Sequence, residues 1–308
     1  MILRRCSFVL MTAVLAVTVY FISPVFAAEE TNISISPLTF DLAANPGDTV
    51  TNEILVRNTG SEAVIISVEA QDFVATGEEG EVSLTDKSTY SLASWIEMDG
   101  NGYELGPGKQ RAVKFVIRVP HNAEPGGHYA SVYAHLSPTT DAAESGSYIG
   151  QKIGSLVLLR VAGDMSEGAK FESYETSQKY YEDGLVEFNI RIKNEGSVHI
   201  KPKGIIAIID MFGKKVADVT VEQKNVLPQA TRKMNATWSE TPAFGKFTAT
   251  VLAYYGEENK QITAVTSFWI IPWKTFAVWG GGIILLGVIL WFGRGRIRAA
   301  GKALLAKN

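Results

Sequence analysis

The chain of 308 residues holds one cysteine, Cys6, and four histidines, His121, His128, His135 and His199. With its single cysteine near the N-terminus, the rest of the chain has no disulfide to draw on, so core burial must hold the fold. His128 and His135 are an odd number of residues apart in one alternating stretch, which puts them on opposite faces of a strand and prevents a shared metal. HExxH, paired cysteines, Gly-x-Ser-x-Gly and a phosphate-cradling glycine loop are all missing, which removes the common zinc, hydrolase and nucleotide readings. The expectation is a protein that is not an enzyme and carries no cofactor. Acidic residues are also missing after Glu258.

Two apolar segments stand out against this background. Residues 1–27 carry Arg4 and Arg5, an apolar run from Phe8 to Ile22, and small residues before a cut after Ala27, the pattern of a secretory signal peptide. From Thr275 to Gly293 no charge occurs, and at about 1.5 Å per residue this run is long enough for a bilayer core. Trp273, Trp279 and Trp291 fall towards its ends, where indole rings favour the interface, and Arg294, Arg296 and Arg298 follow. By the positive-inside rule the tail is cytoplasmic and residues 28–271 are extracellular, on a single-pass cell-membrane protein. The two terminal segments take 8 of the 29 basic residues and none of the 32 acidic ones, so the part between them has a net charge of −11. That balance disfavours nucleic acid as a partner.

The residues between these segments alternate with a period of two. In "EFNIRIKN", Phe188, Ile190 and Ile192 share one face, and Glu187, Asn189, Arg191 and Lys193 the other. Short strands separated by Pro, Gly, Asn and Asp predict an all-β chain of antiparallel sandwiches. The pattern also repeats in order: 45–67 resembles 181–202, 105–117 resembles 226–238, and 125–136 resembles 243–254. The expected organisation is two tandem Ig-like β-sandwich domains, 28–163 and 164–271, then a transmembrane helix over 272–293 and a basic cytoplasmic tail over 294–308. Asn58 to Ser61 reads as a hairpin connection, and Asp99 to Gly102 as another. "IIAIID" (205–210) reads as a core strand, with Trp95 and Trp238 filling the two cores.

"SLASWIEM" followed by "YELGPGKQRAVKFVIRVPHNAEPGGHYASVYA" resembles a pattern of Ig-like, fibronectin-III-like domains on bacterial surfaces, through Trp95-Ile96, Leu105, Pro107-Gly108, Pro120, Ala123 and Tyr129. Taken with the order of signal peptide, two such domains, one membrane helix and a basic tail, the chain is similar to the WxL-interacting protein family of Gram-positive cell surfaces. That resemblance implies a first domain that binds peptidoglycan and a second that engages surface proteins. The family's second domain carries a long helical insertion, and no helical period occurs between 165 and 271. The stretch "ISISPLTFDLAANPGD" also resembles the first strands of periplasmic pilus chaperones.

Candidate contact residues are aromatic: Tyr103, Tyr148, Tyr180, Tyr181, Tyr254 and Tyr255 lie at strand ends or loops, where rings stack on sugars. Asp99 with Asn101, and the acidic tip Glu78 to Glu81, are weak starts of a cation site. The strand "NISIS" (32–36) is a candidate edge for pairing with a partner's extended segment. The reading is a non-enzymatic, membrane-anchored binding or scaffolding protein for peptidoglycan or another exported surface protein. The alternative is a membrane-tethered chaperone or assembly factor acting through a sheet edge.

Overall fold

The computed structural model describes residues 33–100, 102–137, 152–182, 184–239 and 244–305, with side chains omitted at 293 and 295–305. The signal peptide, Asn101 and Tyr148 lie outside the described residues.

The fold is all-β, two sandwiches followed by one helix. In the first sandwich, one sheet runs β1 (Ile33–Ser36), β3 (Thr49–Asn58), β8 (Gln110–Arg118), β6 (Ile96–Met98) in spatial order. The facing sheet runs β2 (Thr39–Ala44), β10 (Lys152–Val161), β9 (Gly126–Ser137), β4 (Val64–Thr76), β5 (Glu81–Thr85), with β7 (Tyr103–Leu105) also paired to β4. In the second sandwich, one sheet is β11 (Ala169–Thr176), β13 (Leu185–Asn194), β16 (Thr231–Ser239). The other is β12 (Tyr180–Tyr181), β18 (Lys260–Ile270), β17 (Gly245–Tyr255), β14 (Lys203–Asp210), β15 (Lys215–Val221). Position by position the two five-strand orders correspond, β2 to β12, β10 to β18, β9 to β17, β4 to β14 and β5 to β15, so the sequence repeat is a repeat of topology.

Each core follows from alternation. Ile54, Val56, Phe115 and Ile117 close the first from one side and Val132, Ala134, Val157 and Leu159 from the other. Phe188, Ile190 and Ile192 meet Phe247, Val251 and Phe268 in the second. Burial of each such side chain contributes about 1.5–3 kcal/mol. Trp238 sits at the centre of the second core, its ring 5.4 Å from Phe247 and 6.0 Å from Phe268. Trp95 does not fill the first core in the same way: it lies in a 3-10 turn, half-buried, with its ring 4.4 Å from that of His128. Leu92 takes the inner position instead. β14 is a core strand only at Ile206 and Ile208, since alternation turns Ile205 outward.

Two expected hairpins are corrected. β3 and β4 belong to facing sheets, so Asn58 to Ser61 carries the chain from one sheet to the other. The buried Asn58 side chain makes this crossing: its amide donates to the carbonyls of Glu62 (2.7 Å) and Leu105 (2.8 Å), and its oxygen accepts from Gly60 N (2.9 Å). Asn194 repeats the device, donating to Val198 and Val226 carbonyls (2.8 and 2.9 Å) and accepting from Gly196 N (2.8 Å). β6 and β7, flanking Asp99 to Gly102, likewise pair with different sheets.

After β18 only Ile271 and Pro272 precede helix α1 (Trp273–Leu305). Its stretch Trp273–Phe292 has mean hydropathy 2.0 and is long and apolar enough to cross a membrane. The helix does not stop where the apolar run stops: it continues through Arg294, Arg296 and Arg298, because these are good helix formers and no proline intervenes.

Candidate binding surfaces

Sequence-predicted aromatics are not brought together. Tyr181 and Tyr255 are buried in the second core, because they fall on the inward positions of β12 and β17. Tyr103 belongs to the first sandwich, half-buried under the Arg111 guanidinium 4.2 Å from its ring. Tyr180 is 64% exposed beside Trp269 at the end of the second sandwich nearest α1, whereas Tyr254 lies at the opposite end of the same sheet. No shared stacking platform forms among these five.

The acidic tip Glu78 to Glu81 is a docking turn rather than a solvated one. The Glu78 carboxylate takes a two-pronged hydrogen bond from the Arg191 guanidinium of β13, one prong at 2.6 Å, and this charge pair holds its carboxyl below the usual range. The Glu78 carbonyl accepts from Lys233 N at 2.8 Å, and Glu79 pairs with Lys233 Nζ at 3.1 Å. These cations come from the second sandwich. Around the same contact, Phe73, Tyr129 and Leu158 on the outer face of the first sandwich form a small cluster that includes Leu227 of the second.

The Tyr129 hydroxyl accepts from His199 N at 2.9 Å, and His199 Nε2 lies 3.0 Å from Asp41. Burial pushes the His199 imidazole below its ordinary pKa, against the opposing pull of Asp41. Gly127 N donates to the Ser197 carbonyl at 2.9 Å, closing the joint with main-chain contact. Beside it a cavity of about 70 Å³ is lined by Phe73, Val82, Leu156, Leu158 and Leu227, with Asn225 and Arg232. Among the described residues, no group of three metal-ligating side chains occurs, and Asp99 joins none.

The remaining surface is main chain. In the first sandwich, β2 pairs in parallel with β10 over Leu156 to Val161 and so covers the outer edge of that last strand. In the second, β12 pairs with β18 only at Trp269 and Ile270. Trp269 N and Ile271 N donate to β12-side carbonyls at 2.9 and 2.8 Å. By alternation, the N–H groups of Gln261, Thr263, Val265 and Ser267 point the same way, and among the described residues no strand pairs with them there. Gln261 to Phe268 contains neither charge nor proline. Three other edges are blunted: β11 has Lys170, Glu172 and a register shift, β15 has Lys215 and Asp218, and β6 is short with Glu97. β1, the edge expected from sequence, is an edge but only four residues long. The β18 edge was not singled out in the sequence because its openness depends on how little of it β12 covers.

No protein-family model matches this chain, and no curated protein does. Among solved structures it is similar to the class 5 fimbriae chaperone CfaA, at 14% identity over 78% of this chain and 100% of that one, with a TM-score of 0.39. It is also similar to a chain of the chaperone–tip adhesion subunit complex CsuC–CsuE of Acinetobacter baumannii, at 11% identity over 78% and 99%, TM-score 0.37. A third is the periplasmic chaperone SfaE, at 10% identity over 77% and 100%, TM-score 0.34. The superpositions are loose, and the sandwich assignment rests on the strand pairings themselves.

Proposed function

We propose that this chain is a membrane-tethered, non-enzymatic holding or assembly protein for exported partners, and that it takes a partner's extended segment as an added strand beside β18. The observation that carries this reading is the uncharged, proline-free edge from Gln261 to Phe268, with Val265 61% exposed. Strand addition draws affinity from main-chain hydrogen bonds and selectivity from alternate side chains. An exposed edge of this length and composition is a liability that soluble proteins ordinarily blunt.

Helix α1 is the anchor in this reading. Arg294, Arg296 and Arg298 favour the cytoplasmic side for its C-terminal end. A surface protein as partner also fits the resemblance to WxL-interacting proteins, whereas a glycan would need a stacking platform, which the five described candidate tyrosines do not form.

The test uses the full-length chain in membranes with a photo-crosslinking residue at Thr263. Crosslinks to an exported protein are expected, and Val265→Pro should abolish them, since it removes an outward N–H without touching the β17 ladder. Crosslinks that persist unchanged in a folded Val265→Pro chain would reject the edge. Co-sedimentation with purified cell wall, unchanged by the substitution, would support a glycan partner instead.

A further inference from the structure

The turns of the two sandwiches that correspond by topology carry opposite chemistry. Between β4 and β5 the tip is Gly77-Glu78-Glu79-Gly80, and its charges dock onto the second sandwich. The corresponding turn between β14 and β15 is Met211-Phe212-Gly213-Lys214. It lies at the end of its sheet from which α1 leaves, because Asp210 pairs with Phe247 and Gly245 with Ile270.

This second tip is a tight, hydrogen-bonded turn. The Asp210 carboxylate accepts from Phe212 N and Lys214 N, both at 2.9 Å, and Gly213 takes φ +83° to close the turn. Phe212 is left 83% exposed. The Phe244 ring, also exposed, packs edge-on at 5.5 Å against Phe276 of α1. Residue 245 carries this contact on to Met211, whose sulfur would sit 2.9 Å from a Cβ placed there. Met211, Phe212, Phe244 and Phe276 therefore present exposed apolar side chains at this end of the sheet and on the first turn of the helix.

We infer that this end of the second sandwich rests in the headgroup layer of the bilayer, with Phe212 and Phe244 inserted. The inference rests on the reading of α1 as a membrane span. Only two residues separate β18 from the helix, so the span brings this face to the interface. Aromatic rings favour that layer, and Lys214 and Lys246 at the same end suit lipid phosphates. As Glu78 and Glu79 seat the first sandwich on the second, the corresponding tip seats the second on the lipid.

The experiment places an environment-sensitive fluorophore on single cysteines in the full-length chain carrying Cys6→Ser, reconstituted in phosphatidylcholine–phosphatidylglycerol vesicles. Phe212→Cys should give blue-shifted emission, quenched by lipids spin-labelled near the headgroup, and Glu53→Cys on the first sandwich should give neither. Leu286→Cys should be quenched by lipids spin-labelled deep in the acyl chain. If Leu286→Cys is quenched and Phe212→Cys behaves like Glu53→Cys, the docking is overturned and the span stands. If Leu286→Cys is not quenched, the span fails and the docking fails with it.

Discussion

The last strands of the two sandwiches, β10 and β18, occupy the same place in the same strand order and differ in what covers them. β10 has β2, which follows its outer edge for six pairs, and β18 has β12, which follows its edge for two. Chain length explains the difference. Twelve residues separate β1 from β3, enough to lay down β2, but eight separate β11 from β13, and Gln178 N folds back to the Tyr181 hydroxyl at 2.9 Å. One topology therefore gives a last strand paired along its outer edge and another paired only at its end, according to how much chain is left to cover the edge.

The comparison is broken most strongly at the cores. Trp238→Ala should cost about 3–5 kcal/mol, whereas Trp95→Ala, at the rim of the other sandwich, should cost about 1–2, as read by chemical denaturation. Next come the sheet-crossing asparagines. Asn58→Ala and Asn194→Ala should each cost about 2–3 kcal/mol, because each removes three hydrogen bonds from the side chain to the main chain, and a difference well beyond 1 kcal/mol between them would break the equivalence of the two crossings. Proline separates the edges themselves. Leu156→Pro removes the N–H that β2 uses, bonded to Leu38 O at 2.9 Å, and should cost about 2 kcal/mol, while Val265→Pro should leave the unfolding midpoint within about 0.5 kcal/mol of the parent.

The smallest effect is at the joint between the sandwiches. Because burial lowers the His199 pKa, the folded chain disfavours the imidazolium. Stability is then complete above the ordinary value of about 6.5 and falls as pH drops through the folded value. The titratable and charged groups around the ring are Asp41, Tyr129 and Arg160. The transition temperature should fall below about pH 6.5 in the parent, and His199→Gln should flatten that slope.

Alternation made the strands and both cores legible in the sequence, since inward residues such as Phe188 and Ile190 need only a two-residue period to be recognised. It could not separate a hairpin from a crossing between sheets, because strand, Asn-x-Gly-Ser and strand read the same whether the strands pair or part. The docking of the Glu78 tip is not legible in the sequence because Arg191 and Lys233 lie more than a hundred residues away along the chain. Tyr181 and Tyr255 looked like loop aromatics because inward and outward positions near a strand end are one residue apart. Openness at β18 is a property of its neighbour, and no reading of β18 alone contains it.

The two-residue link from β18 to α1 has a mechanical meaning. A pull on the second sandwich away from its anchor enters along the axis of β18, which pairs with β17 through eleven consecutive residues. That load is borne in shear, shared across the whole ladder, instead of peeling one bond at a time.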